Sequence, residues 1–148
     1  MFGRFLAAAP LLILAACQGT PQQPAVTVTD AVVTVPAVPD APGAGYFTLR
    51  GAGGGGTLQG IASPRVGRIE LHETRSESGM SRMAAIGQVA VGNGEVRFEP
   101  GGKHAMLFEV DPALKVGDRL TLTFTFEGAP AVTVEAEVRG PGQANAGH

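Results

Sequence analysis

Hydrophobic and polar positions alternate with a period of two along most of this chain, the pattern of strands with one buried face. The clearest case has Leu120, Leu122, Phe124 and Phe126 on one side, a turn at Gly128-Ala129-Pro130, and Val132, Val134, Ala136 and Val138 returning. A second hairpin is expected from residues 86–91 through Gly92-Asn93-Gly94 to residues 95–99. Residues 46–50 and 58–62 are expected to flank a flexible hairpin connection, the glycine-rich run 51–56. That run lacks the lysine and helix start of a phosphate-binding loop. No stretch carries helical periodicity of convincing length. About eight short strands separated by turn signals predict an all-β fold, a single antiparallel β-sandwich.

The start of the chain changes this picture from a bare domain to an addressed one. Arg4 precedes an apolar run, residues 5–14, and Leu14-Ala15-Ala16-Cys17 resembles a bacterial lipobox, at which the signal peptide is cut before a cysteine that is then lipidated. The apolar run is too short to be a spanning helix. The expected organisation is a lipoprotein signal peptide at 1–16, lipidated Cys17 and a polar linker through 25, a folded domain at 26–138, and a disordered tail at 139–148. Residues 17–148 suit one domain. The protein would face the periplasm on a lipid anchor. Gln18 stands after the cysteine where an aspartate would favour the inner membrane, so the outer membrane is expected. Cys17 is the only cysteine, so no disulfide is available and stability has to come from packing.

Charge and residue type narrow the chemistry. A formal net charge of −2 with scattered basic residues offers no patch for nucleic acid. Ser76, Ser78 and Ser81 near His72 are the one arrangement that could suggest a nucleophile and a base, and turn formation explains their hydroxyls more simply. An enzyme is not expected.

A cluster of soft ligands remains. His72 is followed after ten residues by Met83, and His104 and Met106 stand one residue apart. Once the signal is removed, Met80, Met83 and Met106 are the only methionines, and all fall in this segment with two of the three histidines. Strand periodicity puts His104 and Met106 on one face, with Ala105 and Leu107 on the other. It likewise sends Ile69 and Leu71 toward a core and leaves His72 with Glu70 on the opposite, accessible side. Each methionine alone reads as a core gap-filler. Two thioethers and two imidazoles together suit Cu(I) better than zinc, magnesium or calcium. Met80 is an alternative ligand, expected in a loop, and binding of Cu(II), with help from His148, is left open.

The surrounding residues carry a family likeness. Glu70-Leu71-His72-Glu73-Thr74, Gly79-Met80-Ser81-Arg82-Met83, the block from Pro100 through Leu107, and Leu114-Lys115-Val116-Gly117-Asp118 running into Leu120-Thr121-Leu122 together resemble the periplasmic copper chaperones called PCu(A)C. The resemblance covers about residues 26 to 138. It implies a Greek-key, cupredoxin-like sandwich, acting as a monomer, in which His72, Met83, His104 and Met106 hold one Cu(I). It further implies delivery to a copper-accepting protein, either the dinuclear copper centre of cytochrome c oxidase or a thioredoxin-like copper chaperone. The rival reading is a copper-sequestering or resistance protein with the same site, or a metal-free structural lipoprotein. Two departures stand out: the spacing from Met83 to His104 is one residue shorter than the family pattern, and Val33 occupies a position where the family often has tryptophan.

Overall fold

In the computed structural model, which describes residues 24–144, the alternating pattern resolves into ten strands. These are β1 Val26–Thr34, β2 Gly43–Gly51, β3 Thr57–Ala62, β4 Val66–Glu77, β5 Met80–Ala85, β6 Val89–Ala90, β7 Glu95–Phe98, β8 Lys103–Val110, β9 Arg119–Glu127 and β10 Val132–Arg139. No helix occurs among the described residues. The lipobox with Cys17, most of the linker and His148 lie outside them.

All ten strands belong to one hydrogen-bonded sheet in the order β5-β4-β8-β7-β2-β1-β10-β9-β3-β6. Every pairing is antiparallel except β1 with β10 and β7 with β8. The sheet folds over on itself. Phe47 of β2 stacks on Phe98 of β7 with ring centroids 4.3 Å apart, and meets Phe124 of β9 edge-on at 4.8 Å. β9 is three places from β2 in the order, so that contact crosses the core. β3, near one end of the order, lies against β4, near the other. Between the layers Val33, Leu49, Leu58, Leu107, Leu120, Phe124 and Val138 are fully buried, each such side chain contributing roughly 1.5–3 kcal/mol of transfer free energy. The expected sandwich is therefore present, built from one folded sheet.

The β9–β10 hairpin forms as the alternation predicts, with Leu120, Leu122, Phe124 and Phe126 all buried. Two other expected hairpins do not form. Residues 86–91 and 95–99 separate: β6 pairs with β3, whereas β7 pairs with β2. The stacking of Phe98 on Phe47 holds β7 in one layer, and burial of Val89 and Val91 holds β6 in the other. Likewise β2 and β3 do not pair, and the glycine run between them crosses from layer to layer. This crossing is packed, not flexible. A Cβ on Gly51 or Gly55 would overlap the carbonyl oxygen of Gly92. Hydrogen bonds from Gly51 N to Gly94 O (2.9 Å), Val91 N to Gly56 O (2.9 Å) and Gly54 N to Asn93 Oδ1 (2.6 Å) tie the two loops together.

After β10 the chain turns, with Gln143 N donating to Gly140 O at 3.1 Å and Arg139 Nη1 donating to Ala144 O at 3.1 Å. Across the sheet, Thr34 of β1, Ala44 of β2, Met106 of β8 and Glu70 of β4 stand in one register line.

Candidate metal centre

The site is set by which face of β4 and β8 the core claims. Ile69 and Leu71 of β4 pair with Leu107 and Ala105 of β8, and the last three of these are buried. With side chains alternating along each strand, Glu70 and His72 are sent to the other face, as are His104 and Met106. Residues directly opposite on antiparallel strands share a face. His72 stands opposite His104, Glu70 opposite Met106, and Thr74 opposite Met83 of β5. The pairing of three neighbouring strands thus gathers His72, Met83, His104 and Met106 on one face. Met80 opens β5 opposite Glu77; it is a strand residue, not a loop residue, and alternation places it on the face away from Met83. Ser76 and Ser81 are also paired strand residues, and only Ser78 lies in the turn.

Local hydrogen bonds fix the ends of these strands. The turn into β8 is held by Gly102 N donating to Glu99 O at 3.0 Å and Glu99 N donating to Lys103 O at 2.8 Å. The carbonyl oxygen of Gly102 accepts from Thr74 N at 3.1 Å and pairs with His104 Nδ1 at 3.0 Å. Beside the histidine pair, Lys103 Nζ bonds Glu73 Oε1 at 3.0 Å, and Arg75 bonds the other carboxylate oxygen at 2.6 Å. Lys103 and then Arg75 hold the Glu73 carboxyl below its ordinary value.

The two imidazoles lie with ring centroids 6.0 Å apart and planes 29° from parallel. His104 is 8% exposed and the His72 side chain 14% exposed, so His72 is half-buried and less open than its place on the polar face suggests. β4 is flanked by β5 on one side and β8 on the other, which hems the ring in. His72 Nε2 is 3.1 Å from Glu70 Oε2, and that bond, with Arg68 also near, holds the Glu70 carboxyl below its ordinary value. His72 Nδ1 is buried with no hydrogen-bond partner. A buried polar atom left unpaired costs about 1–3 kcal/mol. Met83 is the opposite case: it is 56% exposed on an edge strand whose six residues are all exposed. Among the described residues, His, Cys, Asp and Glu side chains form no group of three or more that could hold a metal ion. Two imidazoles and two thioethers share this face, a donor set that suits a soft ion.

Residues 26–138 match the family described as "Putative lipoprotein LpqE-like". The chain belongs to this LpqE-like family. A relative is the uncharacterized protein RP573 of Rickettsia prowazekii (strain Madrid E), 32% identical over 83 residues, which are 55% of the LpqE-like chain and 46% of RP573. The match thus spans about half of that relative's length. Among solved structures, the copper-bound PCuAC domain from PmoF2 superimposes with a TM-score of 0.63 at 21% identity, over 79% of this chain and 94% of that domain. The solution structure of Cu(I)-bound DR1885 from Deinococcus radiodurans superimposes with a TM-score of 0.58 at 28% identity, over 84% and 83%. The PCu(A)C likeness read from the motifs is therefore also a likeness of fold.

Two groups at the LpqE-like site escaped sequence reasoning. Alternation puts Glu70 on the face of His72 but does not reveal their hydrogen bond, although a Glu-x-His spacing on one strand face sets the two side chains side by side. The Gly102 carbonyl leaves no side-chain signal, and only the Gly101-Gly102 turn before His104 hints at it.

Proposed function

We propose that this protein carries copper: it holds one Cu(I) through His72, Met83, His104 and Met106 and hands it to a copper-accepting partner outside the cytoplasm. The observation that carries the reading is the buried, unpartnered Nδ1 of His72 on the face shared with His104, Met83 and Met106. That atom lacks a hydrogen bond, and a metal would supply what it lacks. The Cu(I)-bound state of DR1885 and the copper-bound state of the PmoF2 domain support the choice of metal.

The exposure of the four side chains suits transfer more than storage. Met83, on the open edge strand, is the ligand a partner's donor reaches first, and His104 is the most enclosed. Thioethers bind without deprotonation, so this ligand can be displaced with no proton to move. Carriage needs no reacting group, and no enzymatic step is assigned. Lipidation at Cys17 would hold the protein at the periplasmic face of a membrane, the outer one by the Gln18 rule, and the family description as a lipoprotein supports that address. Cytochrome c oxidase, directly or through a thioredoxin-like chaperone, is the recipient that the PCu(A)C resemblance implies.

Anaerobic Cu(I) titration of the soluble domain against a competing chelator tests the site. One equivalent should bind, and Met83→Leu or Met106→Leu should weaken binding strongly while the fold persists, because leucine keeps the volume and removes only the sulfur. Met80→Leu should bind as the parent does. Unchanged affinity in both Met83→Leu and Met106→Leu would refute the ligand set. A deletion strain that loses oxidase activity only when copper is scarce would favour delivery over sequestration.

A further inference from the structure

Resting on the Cu(I) reading above, we propose that Glu70 is a positioning residue that decides which nitrogen of His72 meets the metal, so that His72 ligates through Nδ1 and His104 through Nε2. An ionised carboxylate only accepts hydrogen bonds, so the 3.1 Å contact between Glu70 Oε2 and His72 Nε2 requires the imidazole proton on Nε2. A neutral imidazole has one N–H, and the lone pair then falls on Nδ1, the atom that is buried without a partner. The carboxylate cannot easily turn away. Arg68 Nε bonds its other oxygen at 2.8 Å, and the Arg68 guanidinium is itself seated over the Phe108 ring, 4.4 Å from the centroid. All of these groups share the ligand face, since Arg68 stands opposite Phe108 and Glu70 opposite Met106.

Across the strand pair the logic reverses. The Gly102 carbonyl also only accepts, so its 3.0 Å contact puts the His104 proton on Nδ1 and leaves Nε2 as the donor atom. The two facing rings are held in opposite tautomers, one by a carboxylate and one by a backbone carbonyl. Metal-ligating histidines are commonly fixed by such outer hydrogen bonds, whose removal weakens metal affinity by 10–100-fold. The backbone bond at His104 cannot be lost by a single side-chain change, so Glu70 is the one adjustable member.

The test begins without metal. Long-range proton–nitrogen correlation spectra of the apo soluble domain, recorded at mildly alkaline pH, read the tautomer of each ring directly. The expected result is a protonated Nε2 in His72 and a protonated Nδ1 in His104. Glu70→Ala should remove the His72 preference and lower Cu(I) affinity by roughly 10–100-fold, with the His104 tautomer unchanged. Glu70→Gln, whose amide oxygen still accepts from Nε2–H, should retain the tautomer and most of the affinity. A parent His72 protonated on Nδ1, or a Glu70→Ala protein with unchanged tautomer and affinity, overturns the proposal. If the parent domain takes up no Cu(I), the copper reading itself falls, and the tautomer spectra, which need no metal, show that failure to be separate from any failure at Glu70.

Discussion

Replacing Gly55 with alanine should be far more damaging than the same change two residues earlier, at Gly53. The two glycines share a backbone state, with φ of +63° and +61°, so both substitutions incur the left-handed cost of about 1–2 kcal/mol. Their surroundings differ. An alanine methyl at Gly53 meets nothing within 4 Å, whereas at Gly55 it overlaps the carbonyl oxygen, carbon and nitrogen of Gly92. Gly92 can retreat only by disturbing the Val91–Gly56 or Gly54–Asn93 hydrogen bonds and the buried Val91 side chain. Losing one or two such bonds adds about 1–3 kcal/mol. Gly55→Ala should therefore cost roughly 2–5 kcal/mol in all, seen as a fall of about 8–20 °C in Tm against about 4–8 °C for Gly53→Ala. Thermal unfolding of the apo soluble domain followed by circular dichroism measures both. Equal losses would mean that loop 51–56 yields freely and that the packed crossing described above is wrong.

The core gives a second expectation: Phe98→Ala, which removes the ring stacked on Phe47, should lower stability by about 3–5 kcal/mol in urea titration. The metal gives a third. The apo domain should unfold cooperatively, and Cu(I) at about 100 to 1,000 times its dissociation constant should add only about 2.7–4.1 kcal/mol; an unfolded apo state would make the metal structural and defeat reversible carriage. Acid should act through the paired carboxylates. Glu73 is held low by Lys103 and Arg75, Glu95 by Arg97 and Arg50, Asp111 by the Ala113 N–H and Arg65, and Glu137 by Arg139. With folded values below the unfolded ones, the unfolded chain binds more protons, so this stability is complete above the ordinary carboxylate range and is lost as pH falls through the folded values. Tm should drop below about pH 4.5, and by less in Glu73→Gln.

Sidedness was legible in the sequence, and partnership was not. Alternation alone places Leu120, Leu122, Phe124 and Phe126 on the core face, and separates His104 and Met106 from Ala105 and Leu107. The hairpin signals at 51–56 and 92–94 misled for a physical reason: glycine permits a tight hairpin turn and a close backbone crossing equally, and only the distant packing of Phe98 on Phe47 selects the crossing. The partial burial of His72 was hidden for a similar reason. Period two says which side a residue takes but not that β5 and β8 will close around it. The spacing of the four soft side chains was informative because it follows strand pairing, with His72 opposite His104 in register, yet the hydrogen bond that Glu70 accepts from His72 depends on rotamers that no spacing encodes.

The register line through Thr34, Ala44, Met106 and Glu70 also measures height. Val26, where β1 begins, pairs with Gly51, seven residues along β2 from Ala44, so Met106 stands about 23 Å along the strand direction from the point at which the chain enters the domain, with the His72–His104 pair two residues nearer. If the chain is anchored at Cys17, the eight residues 18–25 separate the lipid from the domain by at most about 29 Å. The copper would then ride at most about 50 Å above the lipid. An acceptor whose own metal centre projects to that height could be served from the anchor, whereas one whose centre lies flush with the bilayer surface would require the domain to tip over on its spacer.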